Sequence, residues 1–135
     1  MTREALQSGF NHFKLKVGAD LDMDMKRMKL IRDIIDDPKE CAARPAPPPE
    51  TLIGKNAGPT GSVLMVDANQ VWDVEEAVEY MKKLSVHKPW FIEEPTAPDD
   101  IMGHAAIRKA LKPYNVGVGE FSAPRICLLK VKLTM

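Results

Sequence analysis

Neither sign of charge is in excess in this sequence: lysine plus arginine and aspartate plus glutamate number 19 each. A chain that grips a phosphate backbone needs a surplus of cations, so nucleic-acid binding has no electrostatic basis, and no acidic tail is present either. Apolar runs are short, and none approaches the roughly 20 residues of a membrane span. The opening MTREALQSGF has no apolar signal core. These absences predict a soluble intracellular protein. Cysteine is scarce: Cys41 and Cys127 stand far apart in no metal-ligand spacing. They read as reduced thiols rather than a disulfide or a zinc site. No glycine-rich phosphate loop follows the first β-prone run, which disfavours a Rossmann or flavodoxin-like nucleotide domain.

What is present is ordinary for one globular domain, with 135 residues, 44% hydrophobic and 28% charged. Periodicity then divides it. HFKLKV at 12–17 alternates as a short strand, and Gly18 with Asp20 punctuates its end. Leu21, Met25, Met28, Ile31 and Ile35 recur at three- and four-residue steps, a helix of about 15 residues with Asp20 as N-cap. The unit recurs with VLMVD at 63–67, a capping-box pair Asp73 and Glu76, and the stripe Ala77, Val78, Met81 and Leu84. A third strand is PWFIE at 89–93, with a third helix opened by Asp99 or Asp100 through about Leu111. Asn115 to Glu120 reads as a fourth strand. Alternating strands and helices predict an α/β fold with a parallel sheet, either doubly wound or part of a (β/α) barrel.

One segment interrupts the alternation. Residues 37–62 hold six of the 11 prolines and few apolar groups. Loops joining helix to strand usually run about 2 to 6 residues, so this stretch reads as a disordered insertion.

Strand parity places the polar residues. Lys14 and Lys16 share one face of the first strand, with Phe13, Leu15 and Val17 on the other. Asp67 ends the second strand with Asn69 two residues on, Glu93 and Glu94 end the third, and Glu120 ends the fourth. By parity Glu94 faces away from Glu93. In parallel α/β folds the C-terminal strand ends form the active site. Converging carboxylates there suit a hard cation such as Mg²⁺. A lysine beside a second cation has its charged form disfavoured, so Lys14 is expected to make Lys16 a usable base. Glu93 follows Asp67 by 26 residues and Glu120 follows Glu93 by 27, whereas Asp67 follows Lys16 by 51. Subtracting about 25 residues of the proline-rich stretch restores the same period. His12, His87 and His104 show no metal spacing and read as surface or packing residues, as do Trp72 and Trp90.

The runs KLKVG at 14–18, VDANQ at 66–70, WFIEEPT at 90–96 and Gly119-Glu120 together resemble the mandelate racemase branch of the enolase superfamily. Asp67 to Asp73 with Trp72, and Pro98-Asp99-Asp100, are similar to its L-fuconate dehydratase subgroup, which includes a vertebrate mitochondrial member. The resemblance covers the chain except 37–62 and the tail after Glu120. It implies a partial TIM-type (β/α) barrel of about four βα units across 1–135, with 37–62 inserted, and Mg²⁺-dependent dehydration of a sugar acid through an enolate. It maps Asp67, Glu93 and Glu120 to the metal, Lys16 to the base, Lys14 to a catalytic partner that also holds the substrate carboxylate, and Asn69 to a substrate contact. It further implies a mitochondrial location, a small-molecule partner rather than nucleic acid or membrane, and an open oligomeric state. The acid histidine of a later strand and the N-terminal cap of that family have no counterpart in these residues. The expectation is therefore a truncated chain, inactive alone, with a non-catalytic or binding product of the same family as the alternative.

Overall fold

A computed structural model describes residues 1–41 and 60–112, and the backbone of 115–117 and 127–128. Its elements in chain order are α1 (Thr2–Gln7), β1 (His12–Lys16), α2 (Leu21–Ile35), α3 (Pro38–Cys41), β2 (Val63–Asp67), α4 (Val74–Leu84), a 3₁₀ turn (Ser85–His87), β3 (Phe91–Glu93), α5 (Ile101–Ala110), β4 (Asn115–Gly117) and β5 (Cys127–Leu128). The strands form one parallel sheet in the order β4-β3-β2-β1-β5. The first four are thus spatial neighbours in their chain order, and β5, which the sequence did not announce, lies beside β1.

The helices start where the caps predict. Asp20 accepts from the Met23 amide at 2.9 Å, Asp73 and Glu76 close a capping box, and Asp100 accepts from the Gly103 amide at 2.8 Å. Helix α1 is unforeseen, because six residues with no side-chain cap are too short to show a period. Its Ala5 and Leu6 join the core.

Parity along the strands sorts the core. Phe13, Leu15, Leu64, Val66 and Ile92 pack with Met28, Ile31 and Ile35 of α2, Ala77, Met81 and Leu84 of α4, and Ile107 of α5. All three long helices therefore meet the same face of the sheet. A doubly wound sheet would divide them between two faces. Each fully buried Leu, Ile, Phe or Met side chain here contributes about 1.5–3 kcal/mol relative to exposure. Arg32 of α2 ties this layer to the turn before β3, donating to the carbonyls of His87 at 2.7 Å and Lys88 at 2.6 Å.

Of the expected insertion 37–62, Pro38–Cys41 form a helical turn, and Glu40 accepts from Arg3 at 2.7 Å. Thr60 donates to the Ile35 carbonyl and lies 3.1 Å from Ser62. Residues 42–59 lie outside the described residues, as do the side chains of Cys41 and Cys127. No described helix is long and apolar enough to cross a membrane.

Gly18 closes β1 at φ +114°, and a Cβ there would come within 2.5 Å of the Val71 side chain. An L side chain rarely adopts that backbone. Gly18→Ala is expected to destabilise the chain by roughly 1–3 kcal/mol, read as a lowered urea midpoint with unchanged slope.

Candidate active site

The sheet register places the chemistry in one row. Lys16 is paired with Asp67 and Asp67 with Glu93, each the last residue of its strand. Lys14 lies two positions earlier on β1, paired with Met65, so by the strand period it shares the side of Lys16. That is the face opposite the helices, since the intervening Leu15 belongs to the helix-facing core.

The side chains converge accordingly. Lys14 is 7% exposed, and its ammonium donates to Glu93 Oε2 and lies 3.7 Å from Asp67 Oδ2. Lys16 is 56% exposed and lies 3.7 Å from the same Asp67 oxygen. Its ammonium also donates to Asn69 Oδ1. The other Asp67 oxygen accepts from the Asn69 backbone amide at 3.0 Å and from its side-chain amide. Two buried carboxylates so close together are tolerable only with a cation between them. Lys14 is that cation in this arrangement.

The loops after β2 and β3 hold the rim. Asn69 and Gln70 both have positive φ, 51° and 65°, and Glu94 has 44°. Backbone bonds lace the loops together: the Ala68 amide donates to the Glu93 carbonyl at 3.0 Å, Gln70 to Glu94 at 2.8 Å and Trp72 to Pro95 at 3.3 Å. The Gln70 side-chain amide donates to Glu94 Oε2 at 3.1 Å. A cavity of about 460 Å³ opens there, lined by Lys16, Asp67, Asn69, Gln70, Glu93 and Glu94. Glu94 thus lines the same cavity as Glu93, contrary to strand parity, because its left-handed backbone breaks the alternation. Gln70 was overlooked as a site residue. The sequence holds only a weak signal for it, its place in the turn after Asp67.

Five of the six expected site residues, Lys14, Lys16, Asp67, Asn69 and Glu93, are therefore gathered together. Glu120 lies outside the described residues. Among the described residues no group of three or more His, Cys, Asp or Glu side chains stands ready to hold a metal. The donor chemistry of Asp67 and Glu93 nevertheless fits a hard divalent cation: both present carboxylate oxygen, and among the described residues no thiolate or imidazole lines the cavity. The histidines stay out of the site. His104 is buried in α5 with Nδ1 2.7 Å from the Asp100 carbonyl, and Trp72 packs on Tyr80 with ring centroids 4.5 Å apart.

The profile of the family described as "Enolase C-terminal domain-like" matches residues 51–125. L-galactonate dehydratase of Hypocrea jecorina is 47% identical over 99% of this chain. The crystal structure of human mitochondrial enolase superfamily member 1 superposes with a TM-score of 0.64 at 48% identity over 87% of the chain. A Streptomyces coelicolor racemase solved with bound magnesium gives a TM-score of 0.62 at 30% identity over 86% of the chain. The chain spans 26% of the fungal enzyme, 21% of the human chain and 26% of the racemase.

The charge balance of the site is testable. Lys14→Met strands two buried carboxylates and is expected to cost about 3–5 kcal/mol in equilibrium denaturation without divalent cations. A loss below 1 kcal/mol would show that solvent, not Lys14, offsets the pair.

Proposed function

The chain belongs to the enolase C-terminal domain-like family, and from that premise we propose that its protein is a Mg²⁺-dependent sugar-acid dehydratase, a hydro-lyase that removes the proton beside the substrate carboxylate. The observation that carries this reading is the meeting of two lysines and two carboxylates at the C-terminal ends of adjacent parallel strands, beside an open cavity. The likeness to L-galactonate dehydratase supports an acid sugar as substrate. The gathering of the helices on one face supports reading the sheet as a segment of a (β/α) barrel with the site on its inner side. A mitochondrial location is supported by the likeness to mitochondrial enolase superfamily member 1.

Each residue has a role in this reading. Asp67 and Glu93 hold the cation, with Glu120 as the third carboxylate. When bound, the cation supplies electrostatic stabilisation of the charge that develops on the substrate carboxylate as its neighbouring proton leaves. Lys16, more than half exposed at the cavity wall, takes that proton. Its link to Asn69 Oδ1 fixes the direction of the amine. Lys14 neutralises the carboxylate pair in the arrangement described. With a divalent cation held by the two carboxylates, its ammonium would be free to make a charge-assisted hydrogen bond to the substrate carboxylate. Asn69 and Gln70 present amides to the cavity suited to substrate hydroxyls. No described residue stands opposite Lys16 as an acid for the departing hydroxyl, so the chemistry assigned to these residues ends at proton abstraction.

Exchange of the α-proton of L-galactonate or L-fuconate with deuterium, followed by proton NMR on the complete protein rather than on these 135 residues alone, tests the assignment. Exchange is expected with Mg²⁺ and is expected to stop on chelation. Lys16→Ala should abolish it while leaving Mg²⁺ binding by calorimetry intact, and Asp67→Asn should weaken that binding by at least about tenfold. Undiminished exchange in Lys16→Ala would remove the base from Lys16. Mg²⁺ binding without exchange in the wild type would favour a non-catalytic member of the family.

A further inference from the structure

Asp24 is the one fully buried carboxylate among the described residues that the proposed chemistry does not use. It sits on α2, on the helix-facing side of the sheet, in the first turn after the loop that follows β1. Both of its oxygens are engaged. Oδ2 accepts the Gly18 amide at 2.7 Å and the Tyr80 hydroxyl at 2.8 Å, and Oδ1 pairs with the Arg27 guanidinium. Arg27 in turn donates to the Lys16 carbonyl at 2.8 Å. Two of the three residues that follow Leu15 are therefore gripped through their backbone by one carboxylate and its guanidinium partner.

The geometry points to Asp24 as a positioning residue for Lys16, acting through the Gly18 amide and through Arg27. The inference rests on the reading of Lys16 as the base. Gly18 at φ +114° has the widest backbone freedom of any residue type, so a hydrogen bond to its amide narrows the turn that follows Lys16. Asp24 supplies it from α2, and Tyr80 joins α4 to the same carboxylate, with Trp72 of the β2–α4 loop stacked on Tyr80. Burial, and then the adjacent Asp24, push the Tyr80 phenol above its ordinary value, which keeps it a donor. The same node thus braces the turn after β1 and the approach to α4, the two loops that flank Lys16 and Asn69. A full carboxylate is needed to accept from three donors at once, whereas an asparagine offers one oxygen and leaves Arg27 without its counter-charge.

The test compares wild type, Asp24→Asn and the milder Tyr80→Phe in the complete protein, with L-galactonate and Mg²⁺ as probes. Asp24→Asn is expected to slow α-proton exchange at saturating substrate by about tenfold or more, since small displacements of a reacting group carry penalties of that order. Tyr80→Phe should slow it by a smaller factor. The Mg²⁺ dissociation constant, set by residues on other strands, should move less than about threefold, and the ¹³Cε resonance of Lys16 should shift in both variants. Wild-type exchange in a folded Asp24→Asn would overturn the inference, as would an equal loss of exchange and Mg²⁺ affinity, the mark of general damage. Should Asp24→Asn fail to fold, unchanged exchange in Tyr80→Phe overturns it. A wild type without exchange sinks the dehydratase reading instead. In that case an unmoved Lys16 resonance in the variants still refutes the positioning role.

Discussion

The constraint that organises this chain is the parallel register that brings Lys16, Asp67 and Glu93 to one level of the sheet. Because the side-chain period of a strand is two, a slip of one residue would turn each of these groups into the helix-facing core and turn Leu15, Val66 and Ile92 out of it. Register and charge placement are thus one decision. The apolar face enforces it, since Leu15, Val66 and Ile92 must meet Met28, Met81 and Ile107. The polar face then receives its carboxylates as a consequence, at a desolvation cost of several kcal/mol per ion in the general case. Lys14 offsets that cost from within the same strand.

The two faces divide the labour. Helix-facing positions are apolar and fully covered, and they hold the strands in place. The opposite face carries Lys14, Asp67 and Glu93, all nearly buried yet polar. Their stability hangs on one another rather than on hydrophobic contact. Such a cluster is poorly suited to hold a fold together, because a hydrophobic replacement of similar volume is often as stable. It is well suited to receive a divalent cation, because the positive charge that satisfies two carboxylates is exchangeable.

Much of this was legible in the sequence where one physical rule acts alone. The N-caps Asp20 and Asp73 and the full extent of α2 followed from a side-chain oxygen meeting an orphan amide beside a 3.6-residue period. The convergence of Lys14, Lys16, Asp67 and Glu93 followed from parity. Where two rules compete, reading by pattern failed. Glu94 obeys its φ of 44° rather than the alternation of β3, and Gln70 reaches it only because two successive left-handed residues turn the loop back. Asp24 stands one residue from the apolar stripe of α2 and reads as a solvated first-turn acid, yet it is buried. Its partners Gly18 and Tyr80 lie six and 56 residues away, so no local pattern announces it.

Asp24 and Lys14 solve the same electrostatic problem with opposite outcomes. Each is a buried charge beside a counter-charge, but Asp24 is matched to fixed donors: a backbone amide, a phenol and a guanidinium held by α2 itself. One of these is backbone, and the other two come from helices packed in the same layer. Lys14 is matched to two side-chain carboxylates at the edge of a cavity, beside the far more exposed Lys16. The first arrangement is permanent and can transmit rigidity to the turn that carries Lys16. The second can be rearranged by any cation that reaches the cavity. A site that must hold its base still while it exchanges its cation requires both, and the chain places them on opposite sides of a single five-residue strand.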